Sequence, residues 1–136
     1  MERFIKKETS IEGLLVIETH SFEDQRGFFM ETYNKREFEK LGILNDFVQD
    51  NHSKSSKGVL RGLHFQKNYL QAKLVRVIKG KVYDVAVDLR KDSKTYGEYY
   101  GIELTESNKL QFFIPKGFAH GFMVLSDTAE FVYKCD

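Results

Sequence analysis

The stretch GVLRGLHFQ places an arginine and a histidine, Arg61 and His64, three positions apart in an otherwise apolar, glycine-containing run. An imidazole can bind a metal ion, move protons near neutral pH, or simply pack in a core. A lone histidine on a β-strand is more often a packed or surface residue than a catalytic one. The role of His64 therefore depends on what the rest of the chain brings to it.

A second stretch, PKGFAH, places Pro115, Gly117 and His120 in a Pro-x-Gly-x-x-His pattern. Together with Gly58, six positions before His64, these residues resemble the two signature motifs of the cupin family of β-barrels. The resemblance implies an all-β fold, a cupin-type β-barrel or jelly roll. In the metal-binding members, the first motif supplies two histidines and a glutamate, and the second supplies one histidine.

Two of these four ligand positions differ here. Gln66 stands where the second histidine would be, and Gln71 stands near the place of the glutamate. Glutamine carbonyls are weak, neutral ligands, so two imidazoles and two amides would hold a transition metal poorly. We therefore predict a barrel with no metal, which leaves His64 free to accept protons.

A lysine close in sequence, Lys73, is predicted to place a positive charge near His64. If the stretch HFQKNYLQAK forms a hairpin that turns near Asn68 and Tyr69, His64 lies opposite Lys73 and both side chains point into the same space. A base beside an ammonium suits removal of a proton next to a carbonyl, because the ammonium stabilises the negative charge that develops on oxygen. The alternative is that Lys73 is a solvated strand residue.

Short β-type runs between turn signals must position these groups, and their spacing suggests a sandwich or barrel. The runs are GLLVIETHSF, GFFMETY, KLVRVIKG, KVYDVAVDLR, YYGIELT, LQFFIP, GFMVLS and EFVYK. One peripheral helix is predicted at NKREFEKLGI, where Asn34 caps the start, Phe38 and Leu41 share a face, and Gly42 closes the end.

The run KVYDVAVDLR alternates between two faces. One face is apolar and is expected to be dry: Tyr83, Val85, Val87 and Leu89. The other carries two carboxylates: Val82, Asp84, Ala86 and Asp88. Asp84 and Asp88 either face water or, in a barrel, line a polar lumen.

Composition narrows the class of protein. The chain has 136 residues and a formal net charge of +1, with basic and acidic residues interspersed, and we predict one domain over residues 1–136. This charge pattern disfavours nucleic-acid and membrane partners, and no segment is apolar enough to span a bilayer. We expect a cytoplasmic protein whose single cysteine, Cys135, is a buried structural thiol.

Four ordered blocks carry a more specific resemblance: EDQRGFFMETY, RGLHFQ, QAKLVRVIKGKVYDVAVDLRKDS and IPKGFAHGFMVLSDTAEFVYK. They resemble the dTDP-4-dehydrorhamnose 3,5-epimerases, which are cupins without a metal. The resemblance implies inversion of C3 and C5 of dTDP-4-dehydro-6-deoxy-D-glucose, without a cofactor, through removal of protons acidified by the C4 ketone.

The resemblance also implies roles for individual side chains. His64 is the base, Lys73 lies beside the C4 oxygen, and Tyr133 returns a proton from the opposite face of the sugar ring. His120 is the second-motif histidine in the pocket, with Asp84 as its partner. That pairing would turn the carboxylate face of KVYDVAVDLR towards the lumen.

Further positions match the family's nucleotide-sugar site, namely Arg26, Glu31, Gln49, Asn51 and Arg61. Arg26 and Arg61 suit the diphosphate, because a guanidinium forks onto phosphate oxygens. Phe28 or its neighbour Phe29 could contact the thymine, although core packing explains two adjacent phenylalanines equally well. The resemblance further implies a homodimer with exchanged edge strands, in which the partner supplies some nucleotide contacts.

Relatives of this kind normally continue for several dozen residues beyond YKCD, through a segment whose aspartate supports the base histidine. We therefore expect His64 to draw its orientation from elsewhere or to be a poorer base. Three alternatives stay open: an epimerase that inverts only C3 or only C5, a 3,4-ketoisomerase of a dTDP-sugar, and a sugar-nucleotide-binding cupin without turnover.

Overall fold

The computed structural model describes residues 2–65 and 70–136. Over these residues the chain forms twelve β-strands and one short helix. In chain order these are β1 (Phe4–Glu8), β2 (Leu15–Thr19), β3 (Phe22–Asp24), β4 (Gly27–Phe29), α1 (Lys35–Lys40), β5 (Gln49–Ser56), β6 (Leu60–His64), β7 (Lys73–Lys79), β8 (Lys81–Asp88), β9 (Tyr99–Thr105), β10 (Gln111–Ile114), β11 (Phe118–Val124) and β12 (Thr128–Cys135).

The strands build two main antiparallel sheets and a separate hairpin. Within the described ranges, the larger sheet has six strands in the order β1-β2-β10-β7-β12-β5, and the smaller has four in the order β6-β11-β8-β9. Strands β3 and β4 pair only with each other. Two facing sheets with these long crossovers form the cupin-type jelly roll, which confirms the predicted fold class.

A hydrophobic core fills the space between the two sheets. The six-stranded sheet contributes buried residues such as Val75, Phe112 and Phe131, and the four-stranded sheet contributes Leu104 and Phe122. Each large apolar side chain taken out of water stabilises the fold by about 1.5–3 kcal/mol. The core therefore fixes the distance between the sheets on which the site is built.

Helix α1 covers the outer face of the six-stranded sheet. Its N-cap is Asn34, whose side chain accepts a hydrogen bond from the Glu37 amide, and its buried residue Phe38 packs edge-on against Phe4 with ring centroids 4.8 Å apart. Gly42 follows with a φ of 89°, as the predicted helix end requires. Across residues 2–65 and 70–136, no helix combines the length and apolarity needed to cross a bilayer.

Strand β8 turns its carboxylate face inward. Asp84 and Asp88 are fully buried, whereas Tyr83 on the opposite face is 38% exposed. The lumen orientation is thus confirmed, and the expectation of a dry face at Tyr83, Val85 and Val87 is wrong. Carboxylates can occupy the interior because each has partners there, His120 for Asp84 and Arg90 for Asp88.

The predicted hairpin between His64 and Lys73 is wrong. Strand β6 pairs with β11 in the four-stranded sheet, while β7 pairs with β10 and β12 in the six-stranded sheet. The two strands therefore belong to different sheets. Residues 66–69, which include Gln66 and the turn proposed at Asn68 and Tyr69, lie outside the described residues.

Candidate active site

A bulge in β6 turns both Arg61 and His64 towards the interior. His64 pairs with His120 and Arg61 pairs with Phe122. Between these two pairs β6 therefore has one residue more than β11. In a regular strand, residues three apart point to opposite faces, and the extra residue restores a common face. Gly62 lies within this bulge at a φ of 101°, a conformation that favours glycine.

His120 and Asp84 form a buried pair beside His64. The Nε2 atom of His120 lies 2.8 Å and 3.0 Å from the two carboxylate oxygens of Asp84, so this ring N–H donates to the carboxylate. Burial raises the pKa of the Asp84 carboxyl above its ordinary value, and the charges of His120 and Lys73 offset part of that rise. The pair holds the His120 ring in one orientation.

Lys73 and Tyr133 approach from the opposite sheet. Tyr133 of β12 is paired with Val75 of β7, two residues from Lys73, so both side chains share the inner face. The Lys73 ammonium lies 5.6 Å from the centroid of the Tyr133 ring. Together with His64, they line one cavity of about 200 Å³, which also includes Leu70, Gln71, Gly117 and Phe118. The prediction that His64 and Lys73 share a space thus holds, although they face each other across the sheets.

The environment of Tyr133 keeps its phenol protonated. Burial raises the pKa of Tyr133 above its ordinary value; Cys135 adds to the rise and Arg61 opposes it. A neutral phenol at pH 7 can donate its proton to a reacting atom. Cys135 itself is 1% exposed, as predicted for a structural thiol.

Aromatic rings pack next to the site between the two sheets. Phe122 and Phe131 stack with centroids 4.2 Å apart, one from each sheet, and the His120 ring lies parallel to Phe131 at 6.1 Å. The Phe131 ring in turn lies 5.9 Å from the ring of Tyr133, so these rings place an apolar layer next to the site. Charges next to such a layer interact more strongly than they would in water.

Three of the predicted substrate-binding residues also lie on the inner faces. The Nε–H of Arg61 donates to Ser55 Oγ at 2.9 Å, which joins the two sheets at this point. Asn51 of β5 is paired with Tyr133, and Gln49, two residues before it, donates from Nε2 to the Asn51 side-chain oxygen at 3.3 Å. Polar groups thus extend from the cavity along the edge strand of the six-stranded sheet.

The other three predicted binding residues lie elsewhere in the chain. Arg26, on the β3–β4 hairpin, is paired with Asp24 and its side chain is 91% exposed. Glu31 is paired with Arg3, and the Lys109 ammonium lies over the Phe28 ring. Among the described residues, none of these three lines the cavity of His64.

The sequence reasoning missed several residues that shape the site. Ser55 lies on the same face of β5 as Asn51, and Phe118 lies on the same face of β11 as His120. Both follow from the period of two once one residue of the strand is assigned. Gln71, predicted near a lost metal position, lines the cavity and donates to the Asp136 carbonyl at 3.0 Å. No local signal would have identified that contact.

The arrangement brings a base, a cation and an acid around one small space. An imidazole on one wall faces an ammonium and a phenol on the other, and a guanidinium stands nearby. Such a set can remove a proton from carbon next to a carbonyl, stabilise the resulting enolate, and return a proton from another side.

The chain is similar in sequence and fold to known sugar-nucleotide epimerases. A family model described as dTDP-4-dehydrorhamnose 3,5-epimerase matches residues 8–136. The dTDP-4-dehydrorhamnose 3,5-epimerase of Shigella flexneri is 59% identical over 128 residues, which cover 93% of this chain and 71% of that protein.

Solved structures agree with these matches. The Legionella pneumophila dTDP-6-deoxy-D-glucose-3,5-epimerase in complex with dTDP-4-keto-L-rhamnose superposes with a TM-score of 0.94 at 53% identity, over 97% of this chain and 71% of that one. The Bacillus anthracis dTDP-4-dehydrorhamnose 3,5-epimerase with TDP and PPi bound has a TM-score of 0.95 at 47% identity, over 98% and 77%. On the sequence and the fold together, this chain belongs to the dTDP-4-dehydrorhamnose 3,5-epimerase family.

Proposed function

We propose that this chain inverts C3 and C5 of dTDP-4-dehydro-6-deoxy-D-glucose and so produces dTDP-4-dehydro-L-rhamnose. The observation that carries the proposal is the cavity in which His64 on one sheet faces Lys73 and Tyr133 on the other. A sugar ring between these walls would meet the base on one side and the acid on the other. Family membership supplies the identity of the substrate.

His64 takes the proton in the first step of each inversion. The C4 ketone acidifies the hydrogens on C3 and C5, because the electron pair released from carbon moves onto the ketone oxygen. The C–H bond breaks, the proton goes to the imidazole, and an enolate forms. Lys73 places its ammonium where it stabilises the oxygen of that enolate.

Tyr133 completes the inversion from the other wall. Its O–H bond breaks as a new C–H bond forms on the face of the ring opposite His64, and the electron pair returns from oxygen to carbon. The imidazolium and the phenolate then exchange protons with solvent, which restores both groups. His120, held by Asp84, is the strand partner of His64 on β11.

Arg61 binds the diphosphate in this proposal. The charge of its guanidinium acts on Tyr133, and its two terminal amino groups can fork onto phosphate oxygens. Asn51 and Gln49 extend the polar surface in the direction of the edge strand β5 and suit hydrogen bonding to the nucleoside.

A homodimer would complete the binding site. Arg26, Phe28 and Glu31 lie away from the cavity in this chain, on and after a hairpin whose aromatic side chains are exposed, Phe28 at 57% and Phe29 at 71%. Strand β5 stands at the edge of its sheet with Gln49 and Asn51 upon it. A hairpin from a second copy placed along that edge would bring these side chains to the nucleotide and cover the free edge.

Exchange with solvent deuterium tests the proposed reaction. In D₂O the unaltered protein should introduce deuterium at both C3 and C5 of dTDP-4-dehydro-6-deoxy-D-glucose. The variant His64→Ala should lose exchange at both carbons but still bind dTDP, whereas His52→Ala, at an exposed histidine on the outer face of β5, should exchange normally.

The other possible outcomes separate the alternatives. Exchange at one carbon only would replace the double epimerase by a single-centre one. Binding of dTDP without exchange at either carbon in the unaltered protein would leave a binding module and overturn the proposal.

A further inference from the structure

Ser55 and Arg61 make the polar contact that bridges the two sheets beside the cavity. Ser55 is 8% exposed on β5, and its Oγ accepts the Arg61 Nε–H from β6 at 2.9 Å. Arg61 itself is an exposed residue. A buried hydroxyl thus holds the inner nitrogen of a guanidinium whose charge acts on Tyr133, a residue that lines the cavity.

The chain builds this contact through a tight connection. Residues 57–59 join β5 to β6, with the Lys57 amide bound to the Asp127 carbonyl and the Gly58 amide bound to the Val124 carbonyl. These bonds fix the angle at which the two strands leave the turn. The bulge at Gly62 then points Arg61 inward, towards the strand from which the chain has just come.

Because Ser55 accepts a hydrogen bond only from Nε, the terminal amino groups of the Arg61 guanidinium are left open to a ligand. The two terminal amino groups present four N–H bonds in a plane, which match the oxygens of a phosphate. Within residues 2–65 and 70–136, no protein atom accepts a hydrogen bond from those amino groups. The geometry therefore suits a guanidinium that Ser55 orients through Nε and that binds a ligand through its terminal amino groups.

We infer that Ser55 is a positioning residue, which orients Arg61 for the diphosphate of the nucleotide sugar. The inference rests on the proposed function for the identity of the ligand. Without the Ser55 hydroxyl, the Nε–H has no partner at this place, and the long side chain regains rotamers that point its fork away from the phosphate. Ser55 acts through Arg61 and need not contact the substrate.

Calorimetric titration with dTDP tests this inference. The variant Ser55→Ala should bind dTDP about tenfold more weakly, the size expected for loss of one hydrogen bond to a charged group. Ser55→Thr retains a hydroxyl and should restore most of the affinity. Ser56→Ala, the next residue on the outer face of the same strand, should leave the affinity unchanged.

A double variant distinguishes positioning from a general structural effect. In the background of Arg61→Met, the further change Ser55→Ala should add no loss of dTDP affinity, since the residue through which Ser55 acts is gone. An equal loss in both backgrounds would overturn the inference, and so would an unchanged affinity of Ser55→Ala itself.

An NMR measurement on the protein without dTDP tests the contact between Ser55 and Arg61 independently of ligand binding. The Arg61 Nε–H signal, assigned by its disappearance in Arg61→Met, should exchange with water more slowly in the unaltered protein than in Ser55→Ala. Equal exchange rates would overturn the inference. Failure of the unaltered protein to bind dTDP, with the Nε–H protected by Ser55, would instead overturn the proposed function.

Discussion

Gly62 packs directly against the backbone of His120: a Cβ atom at Gly62 would lie 2.6 Å from the His120 carbonyl oxygen and 2.8 Å from the Gly121 Cα. The bulge that turns Arg61 and His64 inward is thus possible only because this position has no side chain. Any side chain there would push β6 away from β11 and move the base.

The variant Gly62→Ala tests this relationship. It should lower the free energy of unfolding by about 2–4 kcal/mol, because it adds a clash to the strain of a positive φ. Gly58→Ala is the matched control, since Gly58 has a φ of +83° but nothing within 4 Å of its added Cβ. Its loss should be about 1 kcal/mol. Urea unfolding measures both, and equal losses would contradict the packing argument.

Removal of the Tyr133 hydroxyl oxygen should separate proton abstraction by His64 from inversion of the carbon. Tyr133→Phe keeps the ring that packs on Phe131 but lacks the acid, so net epimerisation should fall by about 10²–10⁴-fold. Because His64 remains, deuterium exchange with retention of configuration should persist. Product analysis by NMR in D₂O checks both expectations. Tyr99→Phe, at an exposed tyrosine of β9, should retain full activity; a similar loss in both variants would contradict the assigned role.

Asp88 should contribute to stability through its ionised form. Burial opposes its ionisation, but hydrogen bonds from Arg90, Ser93 and Thr95 hold the pKa of the Asp88 carboxyl well below its ordinary value of 3.8. A lowered folded-state pKa stabilises the protein above the unfolded value, and this contribution is lost as the pH falls below about 4. Asp88→Asn should therefore cost about 2–4 kcal/mol at pH 7.

The pH dependence provides the check on that prediction. The difference in free energy of unfolding between the unaltered protein and Asp88→Asn should shrink as the pH falls from about 5 to 2. Urea unfolding over this range measures it. The exposed neighbour Asp92 is the control, and Asp92→Asn should change stability little at any pH. A difference that is independent of pH would contradict the role given to the Asp88 charge.

Complementation should reveal a site shared between two copies. His64→Ala and the double variant Arg26→Ala, Phe28→Ala should each be inactive or nearly so as pure proteins. When they are mixed in equal amounts and allowed to exchange subunits, about a quarter of the sites should be intact, since half of the dimers are mixed and each has one complete site. Epimerase assays before and after mixing measure the recovery. No recovery, with subunit exchange shown by mass, would contradict a site built by two chains.

Local periodicity was sufficient to predict the helix and most of the strands, although β1, β5 and β6 were not among the predicted β-type runs. The helix could be predicted because Asn34, Phe38 and Gly42 each carry an independent signal for a cap, a buried face and an end. The partnership of His120 with Asp84 came from the family resemblance, and the structure confirms that these two side chains meet.

The path of the chain between sheets could not be predicted in the same way. His64 and Lys73 are close in sequence, and a hairpin is the simplest connection, but the cavity is formed because β6 and β7 lie in different sheets. The inward face of β8 was also ambiguous, since partners far along the chain decide whether a carboxylate can be buried. The bulge at Gly62 depends on packing against the opposite strand, and the only sign of it in the sequence is a glycine.

The stacked rings of Phe122 and Phe131 act as a spacer between the walls that carry the base and the acid. The gap available to a sugar is accordingly determined by residues beneath it, which form no part of the chemistry. Trimming or enlarging either ring would alter the reach from imidazole to phenol without touching either group. Proteins of this fold could therefore come to accept larger or smaller hexoses through substitutions at these two buried positions.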